Sequence, residues 1–241
     1  MKVNAQYNVA KPGSLPVRVA EHQRRKMYAA FSEIVGHRKQ EAILDVGATS
    51  DQTYDHSNYL EAWYPAKNCL TVVGIDDAAF LEAKYPGVRF IRADGHHLPF
   101  PDAAFDYVHS SAVLEHVGSN EDQVQFLREL WRVTRKSIFI TTPNRWFPIE
   151  FHTVMPLVHW LPPKLFRRVL ISLGKSFFAD ERNLNLLSSR TLARVADAAG
   201  IGRYEIRTVS IAFFPTNLLL IGRRDSVSTE IAHHTSVMGT G

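Results

Sequence analysis

The chain has 241 residues, of which 45% are hydrophobic and 22% charged, and its formal net charge is +4. This length suits one α/β domain with an added segment, and the composition is typical of a soluble globular protein rather than a disordered or membrane-spanning one. The single cysteine, Cys69, excludes an internal disulfide framework and a multi-cysteine zinc site. The first residues lack the apolar core of a signal peptide, so we expect a cytoplasmic protein.

Positive charge is concentrated at the start of the chain. Residues 1–40 contain eight Lys or Arg against two acidic residues, and we interpret them as an N-terminal basic arm and helix. The spacing of Tyr28 and Phe31 predicts an amphipathic helix over residues 16–35. Such an arm can meet a phosphate, a nucleic acid or an anionic membrane, although runs of charge more often form a solvated helix face.

Apolar segments and helical patterns alternate from residue 42 onward. The clearest helical pattern covers residues 121–135 and follows a Ser119 cap. Strands that alternate with helices form a mostly parallel sheet covered on both faces, and ligands of such sheets bind at the carboxyl ends of the strands. The predicted strands cover residues 42–46, 70–75, 88–91, 105–110 and 137–141 and, after an interruption, 204–209 and 216–221.

The interruption lies at residues 145–180, which are rich in aromatic residues and proline. We predict an inserted helical lid there, before a helix over residues 188–199 restores the alternation. The main domain is therefore expected to span residues 41–222. The polar, aperiodic residues 223–241 are expected to form a disordered tail.

Three of the predicted strands end in an acidic residue close to a glycine. After the first strand come Asp45 and Gly47, and a glycine lets the backbone turn sharply beside a ligand. Asp76 ends the second strand, where a carboxylate can accept both hydroxyls of a ribose. Asp94 and Gly95 end the third, where the carboxylate can accept a hydrogen bond from an adenine amino group.

The turn after the first strand discriminates between cofactors. It keeps one glycine where a dinucleotide-binding turn needs three, and Asp51 adds a carboxylate where a pyrophosphate would lie. Because like charges repel, we predict a positively charged cofactor without phosphates. A nicotinamide-dependent oxidoreductase is disfavoured for the same reason.

Several motifs, taken in order, carry a resemblance to a known family. They are Leu44–Gly47, Val73–Asp76, Ala93–Gly95, Leu98–Phe100, Phe105–Val117 and Thr141–Asn144. This series resembles the motifs of class I S-adenosylmethionine-dependent methyltransferases over residues 40–222. The resemblance implies a doubly wound, seven-stranded, mostly parallel sheet of the Rossmann-like methyltransferase fold, with S-adenosyl-L-methionine as the cofactor.

The same resemblance implies roles for individual residues. At Thr49 the family usually has a second glycine, so this side chain is expected to narrow the pocket. The implied cofactor residues are Asp45, Gly47 and Ala48 for the methionine part, Asp76 for the ribose, Asp94 and Gly95 for the adenine, and Ser111 near the sulfonium.

Glu115 and His116 follow the fourth strand, beside the place where a methyl acceptor would lie. His116 can remove a proton from an acceptor hydroxyl, or it can order the loop by hydrogen bonds. Members of the family that are similar in this stretch bind a divalent metal through E-x-x-E-H. Here Ala112 stands at the place of the first acid, so we predict no metal site.

The predicted lid and its entry supply the candidate acceptor contacts. Asn144, Arg145 and His152 follow the fifth strand and are predicted to meet the acceptor, although loop hydrogen bonds would equally explain them. The lid also has a basic amphipathic pattern, which either packs onto the domain as a helix or lies on an anionic membrane at its inner face. The basic residues are Lys164, Arg167, Arg168 and Lys175.

The sequence thus predicts transfer of a methyl group from S-adenosylmethionine to a hydroxyl of a small-molecule or lipid-linked acceptor. The alternative is a module on the same fold that binds the cofactor or a partner without turnover, which Thr49 and the lack of an obvious base would support. RNA methylation is disfavoured, because no aromatic platform accompanies the basic arm. The oligomeric state has no signal in the sequence.

Overall fold

The structure is a computed structural model that describes residue 11 and residues 13–36, 41–54 and 56–225. The remainder of the predicted basic arm and residues 226–241 of the predicted tail lie outside the described residues. In chain order the helices are α1 (Leu15–Val35), α2 (Tyr59–Trp63), α3 (Phe80–Lys84), α4 (Asn120–Val133), α5 (Pro163–Ser172), α6 (Ser176–Ala179) and α7 (Ser189–Ala198). The strands are β1 (Ile43–Val46), β2 (Leu70–Gly74), β3 (Arg89–Arg92), β4 (Phe105–Ser111), β5 (Thr134–Pro143), β6 (Ile149–Glu150), β7 (Met155–Pro156), β8 (Tyr204–Ile211) and β9 (Phe214–Arg223).

The main sheet has seven strands in the order β3-β2-β1-β4-β5-β9-β8. The first five run parallel, whereas β9 is antiparallel to both β5 and β8. This architecture confirms the predicted doubly wound, mostly parallel sheet. The chain winds outward in one direction through β2 and β3 and in the other through β5, so the crevice between β1 and β4 is the switch point at which such sheets bind ligands.

Alternate residues of the central strands contribute their side chains to two hydrophobic layers, one on each face of the sheet. Ile43 and Phe139 face the layer of α1, α2 and α3, and Leu44 and Ile140 face the layer of α4 and α7. The two-residue period of a strand therefore covers both faces of the sheet with helices. This double burial explains why the strands are continuous apolar runs in the sequence.

Helix α4 begins where the sequence predicted. The Ser119 side chain accepts from the backbone N–H of Asp122, and the Asp122 carboxylate accepts in return from the backbone N–H of Ser119. This capping box satisfies two donors that the first turn leaves unpaired. The helix ends at Val133 and β5 begins at Thr134 with no loop between them, so β5 extends beyond the predicted residues 137–141.

The segment between β5 and α7 leaves the main sheet. It contains the β6–β7 hairpin and the helices α5 and α6, and it has a small core of its own. Helix α5 buries Phe166 and Leu170 in that core, as expected for a helix that packs onto the protein. Its function as a lid stays a prediction. No helix in the described part of the chain is long and apolar enough to cross a membrane.

Candidate functional site

A cavity of about 630 Å³ opens at the carboxyl edge of the sheet. Its walls come from the turns that follow β1, β2, β3 and β4, together with parts of α1, α4 and the segment after β5. The sheet order puts the β1, β2 and β3 turns on one side of this cavity and the β4 turn toward the other. We call the two sides the turn side and the β4 side.

The β1 turn is held closed by backbone hydrogen bonds. The N–H groups of Gly47 and Ala48 both donate to the carbonyl of Val73, at 2.8 and 3.0 Å. Gly47 has a φ of 113°, and a Cβ at this position would lie 2.1 Å from Cγ2 of Val113. Only glycine fits this conformation and this close approach.

Thr49 is accommodated in the turn without strain. The φ angle of Thr49 is not positive, so the backbone at this position does not require glycine. Its N–H donates to the Asn58 side chain, which donates back to the Thr49 carbonyl, each at 3.0 Å. Its hydroxyl accepts from the N–H of Asp51 at 3.1 Å. The threonine lies on the cavity wall, where its side chain and backbone brace the loop.

Two further turns complete the turn side. Gly74 lies on the wall, and a Cβ there would approach the Ala48 carbonyl to 2.7 Å, so the first two turns pack directly on each other. Asp76 follows two residues later and is not among the wall residues. A Cβ on Gly95 would lie 2.4 Å from the ring of Phe126, which forms the wall behind this glycine.

Asp94 keeps a charged, half-exposed carboxylate at the edge of the cavity. Burial acts to raise the pKa of Asp94, but hydrogen bonds from the backbone and ring of His96 outweigh it and lower the pKa below its usual value. A carboxylate that stays ionised is an acceptor only, as a partner for an amino group must be.

The structure directs Asp45 away from the cavity. Its carboxylate lies 2.6 Å from Nδ1 of His109, its register partner on β4, and Nε2 of that ring lies 2.8 Å from the Tyr59 hydroxyl. The side chain is buried in the layer beneath α1 and α2, beside the fully buried carboxyl of Glu61. Burial raises the pKa of Asp45 to about 6 and that of Glu61 well above its usual value. Asp45 is not a wall residue, so a direct contact with a ligand has no support in the geometry.

Arg24 of α1 is a wall residue that the sequence analysis missed. Burial lowers the pKa of its guanidinium and outweighs Tyr59 and Tyr54, which act to raise it. The basic arm was interpreted as a solvated face, yet Arg24 precedes the buried Met27 by three residues and the buried Phe31 by seven. That helical spacing was the available signal, because residues so spaced share one face.

Ser111, His116 and His152 line the β4 side of the cavity. The Ser111 hydroxyl pairs with that of Thr141 at 2.8 Å. His116 lies on the turn after β4, and His152 comes from the segment after β5, yet their Nε2 atoms are 3.0 Å apart. The structure therefore unites two predicted residues that are far apart in the sequence.

Hydrogen bonds fix the orientation of both rings. Nδ1 of His116 donates to the carbonyl of Asn183 at 2.6 Å, because a carbonyl can only accept. Nδ1 of His152 lies 2.8 Å from the Glu150 carboxylate. Burial lowers the pKa of His116 to about 3. Burial also acts to lower the pKa of His152, but the ion pair with Glu150 raises it.

Asn144 and Arg145 serve the backbone rather than the cavity. The Asn144 side chain donates to the Pro215 carbonyl and accepts from the N–H of Trp146, and the Arg145 guanidinium donates to the Leu161 carbonyl. Neither residue is on the cavity wall. They anchor the segment after β5, as the loop interpretation expected.

Comparisons with known proteins agree with this fold. The family model described as "Methyltransferase domain" matches residues 44–140. A probable S-adenosylmethionine-dependent methyltransferase of Mycobacterium tuberculosis is 41% identical over 69 residues, which are 28% of this chain and 24% of that protein. The match thus spans about a quarter of the relative's length.

Solved structures extend the likeness in fold to most of the chain. One is the 1,6-didemethyltoxoflavin-N1-methyltransferase of Burkholderia thailandensis with bound S-adenosylhomocysteine, with a TM-score of 0.54 and 16% identity over 86% of this chain and 80% of that one. Another is the magnesium protoporphyrin IX methyltransferase of Synechocystis, with a TM-score of 0.53 and 16% identity over 91% of both chains. The strand order thus agrees with the Rossmann-like fold of these methyltransferases, and residues 44–140 match the model of a methyltransferase domain.

Proposed function

We propose that the protein transfers the methyl group of S-adenosylmethionine to a hydroxyl of a small-molecule or lipid-linked acceptor. The observation that carries the proposal is one cavity that combines three tight turns on one side with a pair of histidines on the other. The turn side has the features of a cofactor site, and the β4 side has groups that can contact an acceptor. Both solved structures named above are of methyltransferases that act on small molecules.

The turn side fits the cofactor because backbone lines the cavity there. Gly47 and Gly95 are wall residues, and each packs so closely on a neighbouring side chain that a Cβ has no room. We assign the methionine part to Gly47 and Ala48 and the adenine amino group to Asp94, which line the cavity. We assign the ribose hydroxyls to Asp76 on the family resemblance alone, since this residue follows the wall residue Ile75 but is not itself on the wall. When bound, S-adenosylmethionine supplies a methyl group that is electrophilic because it is attached to a sulfonium.

Arg24 completes the cofactor site in this proposal. It reaches the cavity beside Tyr54 and Tyr59, which follow the β1 turn. A guanidinium can bind a carboxylate through two parallel hydrogen bonds. We therefore assign Arg24 to the α-carboxylate of the methionine part.

On the β4 side, the chain's own residues position the acceptor and exclude water. Charge is neutralised in methyl transfer from a sulfonium, so placement of the reacting atoms in line within a dry cavity supplies much of the rate. Nε2 is the nitrogen of His116 that can take a proton from an acceptor, since Nδ1 donates to Asn183, and in this structure Nε2 pairs with His152. An acceptor hydroxyl can hand its proton to this atom only by taking the place of the His152 ring, so the predicted base role requires that displacement.

The non-catalytic alternative rests in part on Thr49. The backbone at this residue needs no glycine, so only its side chain, which lies on the cavity wall, can reduce the room for the cofactor. The threonine hydroxyl braces the loop through Asp51. A normal affinity for the cofactor is therefore expected despite the departure from the family pattern.

A lipid-linked acceptor is favoured by the surface of the segment after β5. Most of the large apolar side chains that are exposed in the described chain lie there, including Trp146 and Trp160, whose rings are 6.2 Å apart. Lys164 and Arg168 are exposed in the same segment. Exposed tryptophans beside basic residues are typical of proteins that contact the surface of an anionic membrane.

The proposal is tested by calorimetry and turnover. The full chain is titrated with S-adenosylhomocysteine and then incubated with S-adenosylmethionine and phenols, sugars or lipid-linked glycans. Release of S-adenosylhomocysteine with a methylated product is expected for one acceptor class, and Gly95→Val, which would collide with Phe126, serves as the inactive control. Absence of cofactor binding by the parent would overturn the proposal, and tight binding without turnover would favour the non-catalytic module.

A further inference from the structure

The β4 side of the cavity contains a cluster of three potential metal ligands. Glu115 Oε1, His116 Nε2 and His152 Nε2 all lie within 4.8 Å of one another. The two nitrogens are 3.0 Å apart, and His116 Nε2 is 3.8 Å from Glu115 Oε1. Ligands placed about 2.1 Å from a tetrahedral ion are separated by about 3.4 Å, so the observed spacings lie on either side of that value.

Each of the three side chains also makes a hydrogen bond through the atom that faces away from the cluster. Nδ1 of His116 donates to the Asn183 carbonyl, and Nδ1 of His152 pairs with the Glu150 carboxylate. Glu115 Oε2 accepts from the Thr142 hydroxyl at 2.9 Å. Histidines that bind metals almost always donate their other N–H to a carbonyl or carboxylate, and ligating carboxylates are hydrogen-bonded in turn. All three potential ligands meet this requirement.

The oxygen of Glu115 that faces the two histidines, Oε1, accepts no hydrogen bond from the described residues. Glu115 is itself fully buried. A buried acceptor without a partner costs about 1–3 kcal/mol, and more where it is charged. A bound cation would satisfy this oxygen, and it would replace the proton that the two Nε2 atoms share in their hydrogen bond.

We propose that Glu115, His116 and His152 bind one divalent transition-metal ion of the zinc class. Two imidazoles and one carboxylate are the ligand set of zinc sites that keep a further position open. His116 and His152 line the cavity, so the open position faces it. The sequence predicted no metal site because Ala112 stands at the place of the first acid, whereas in this proposal His152 of the segment after β5 supplies the further ligand.

Such an ion would act on the acceptor, an effect that rests on the proposed methyl transfer. The acceptor hydroxyl would bind at the open position and lose its proton to bulk solvent before methyl transfer, since a bound cation lowers the pKa of a coordinated hydroxyl. Its oxygen then forms the bond to the methyl carbon while the methyl–sulfur bond breaks and leaves its electron pair on sulfur. His116 acts here as a ligand instead of a base.

Zinc titration of the chelator-treated full chain tests the site without any need for activity. We expect one zinc equivalent to bind, and we expect His152→Gln to weaken its binding at least about 10-fold. Glu150→Gln should weaken it about 10- to 100-fold, because it removes the partner that orients His152. His22→Gln is the matched control, since His22 is exposed on α1 and should leave the affinity unchanged.

Cobalt provides a spectroscopic readout of the same site. Co²⁺ bound to these ligands should give a visible absorption band that disappears in Glu115→Gln, and thermal unfolding checks that each variant is folded. Zinc affinity that is equal in the parent and in the His152 and Glu150 variants would overturn the proposal, as would the absence of binding to the parent. Titration with S-adenosylhomocysteine tests the cofactor side separately, so failure of one proposal is distinguishable from failure of the other.

Discussion

Arg24 offers the sharpest test of the cofactor assignment. If its guanidinium binds the methionine carboxylate, Arg24→Gln removes a charge-assisted hydrogen-bonded pair within a partly buried wall. Hydrogen bonds to charged groups contribute about 1.5–3 kcal/mol, which corresponds to a loss of about 10- to 150-fold in affinity. The estimate applies to the cavity because burial shields the pair from solvent and salt.

Two controls make this experiment specific. Calorimetry compares S-adenosylhomocysteine with 5′-methylthioadenosine, which lacks the amino-acid part, and only the first ligand should lose affinity in Arg24→Gln. Arg25→Gln changes the next residue, whose guanidinium is 61% exposed and pairs with Glu21 on the outer face of α1 at 2.8 Å. It should bind both ligands as the parent does. Equal losses for the two ligands, or an unchanged affinity for S-adenosylhomocysteine, would refute the carboxylate assignment.

Three further predictions concern other parts of the molecule. Asp76→Ala should weaken S-adenosylhomocysteine binding about 10- to 100-fold if the carboxylate accepts both ribose hydroxyls, and unchanged calorimetric binding would exclude that role. Because the pKa of Glu61 is raised in the folded state, the parent should lose stability as pH rises above the unfolded-state value of about 4.3, by up to about 1.4 kcal/mol per pH unit. Glu61→Gln has no carboxyl to titrate, so its free energy of unfolding should increase relative to that of the parent over the same pH range. Urea unfolding at pH 5.5 and pH 8 measures this, and a difference independent of pH would contradict a buried, protonated carboxyl. Trp160→Ser should reduce co-sedimentation of the protein with anionic vesicles, because it removes an exposed aromatic side chain. Thr153→Ser is the control, since Thr153 is buried in the same segment and should leave co-sedimentation unchanged. Equal sedimentation of the parent and Trp160→Ser would argue against membrane contact.

The sheet and its turns were readable from the sequence because their causes are local. Ile43, Leu44 and Val46 belong to an apolar run of strand length, and Gly47 marks a position where backbone conformation and space both demand glycine. Such signals extend over a few residues, so a single sequence contains them in full.

The rest of the site depends on contacts between distant segments. Asp45 lies in a strand whose residues are all buried, and only the register with His109 shows that its carboxylate is internal. The pairing of His116 with His152 depends on how the segment after β5 folds back over β4. The hydrophobic pattern of a single sequence does not encode the distance between such groups.

The segment after β5 has a hydrophobic core of its own, so the two sides of the cavity belong to parts of the molecule with different local stability. Phe166, Leu170 and Phe178 pack with one another, apart from the two layers that clamp the main sheet. Small clusters of this kind open at a lower free energy than the central strands and do so as a unit. Backbone amides around His152 should therefore exchange with deuterium sooner than those of β1 and β4. If the two sides bind acceptor and cofactor as proposed, the β4 side would open and close while the turn side stays formed, and acceptor and methylated product could exchange without disturbing the turn side.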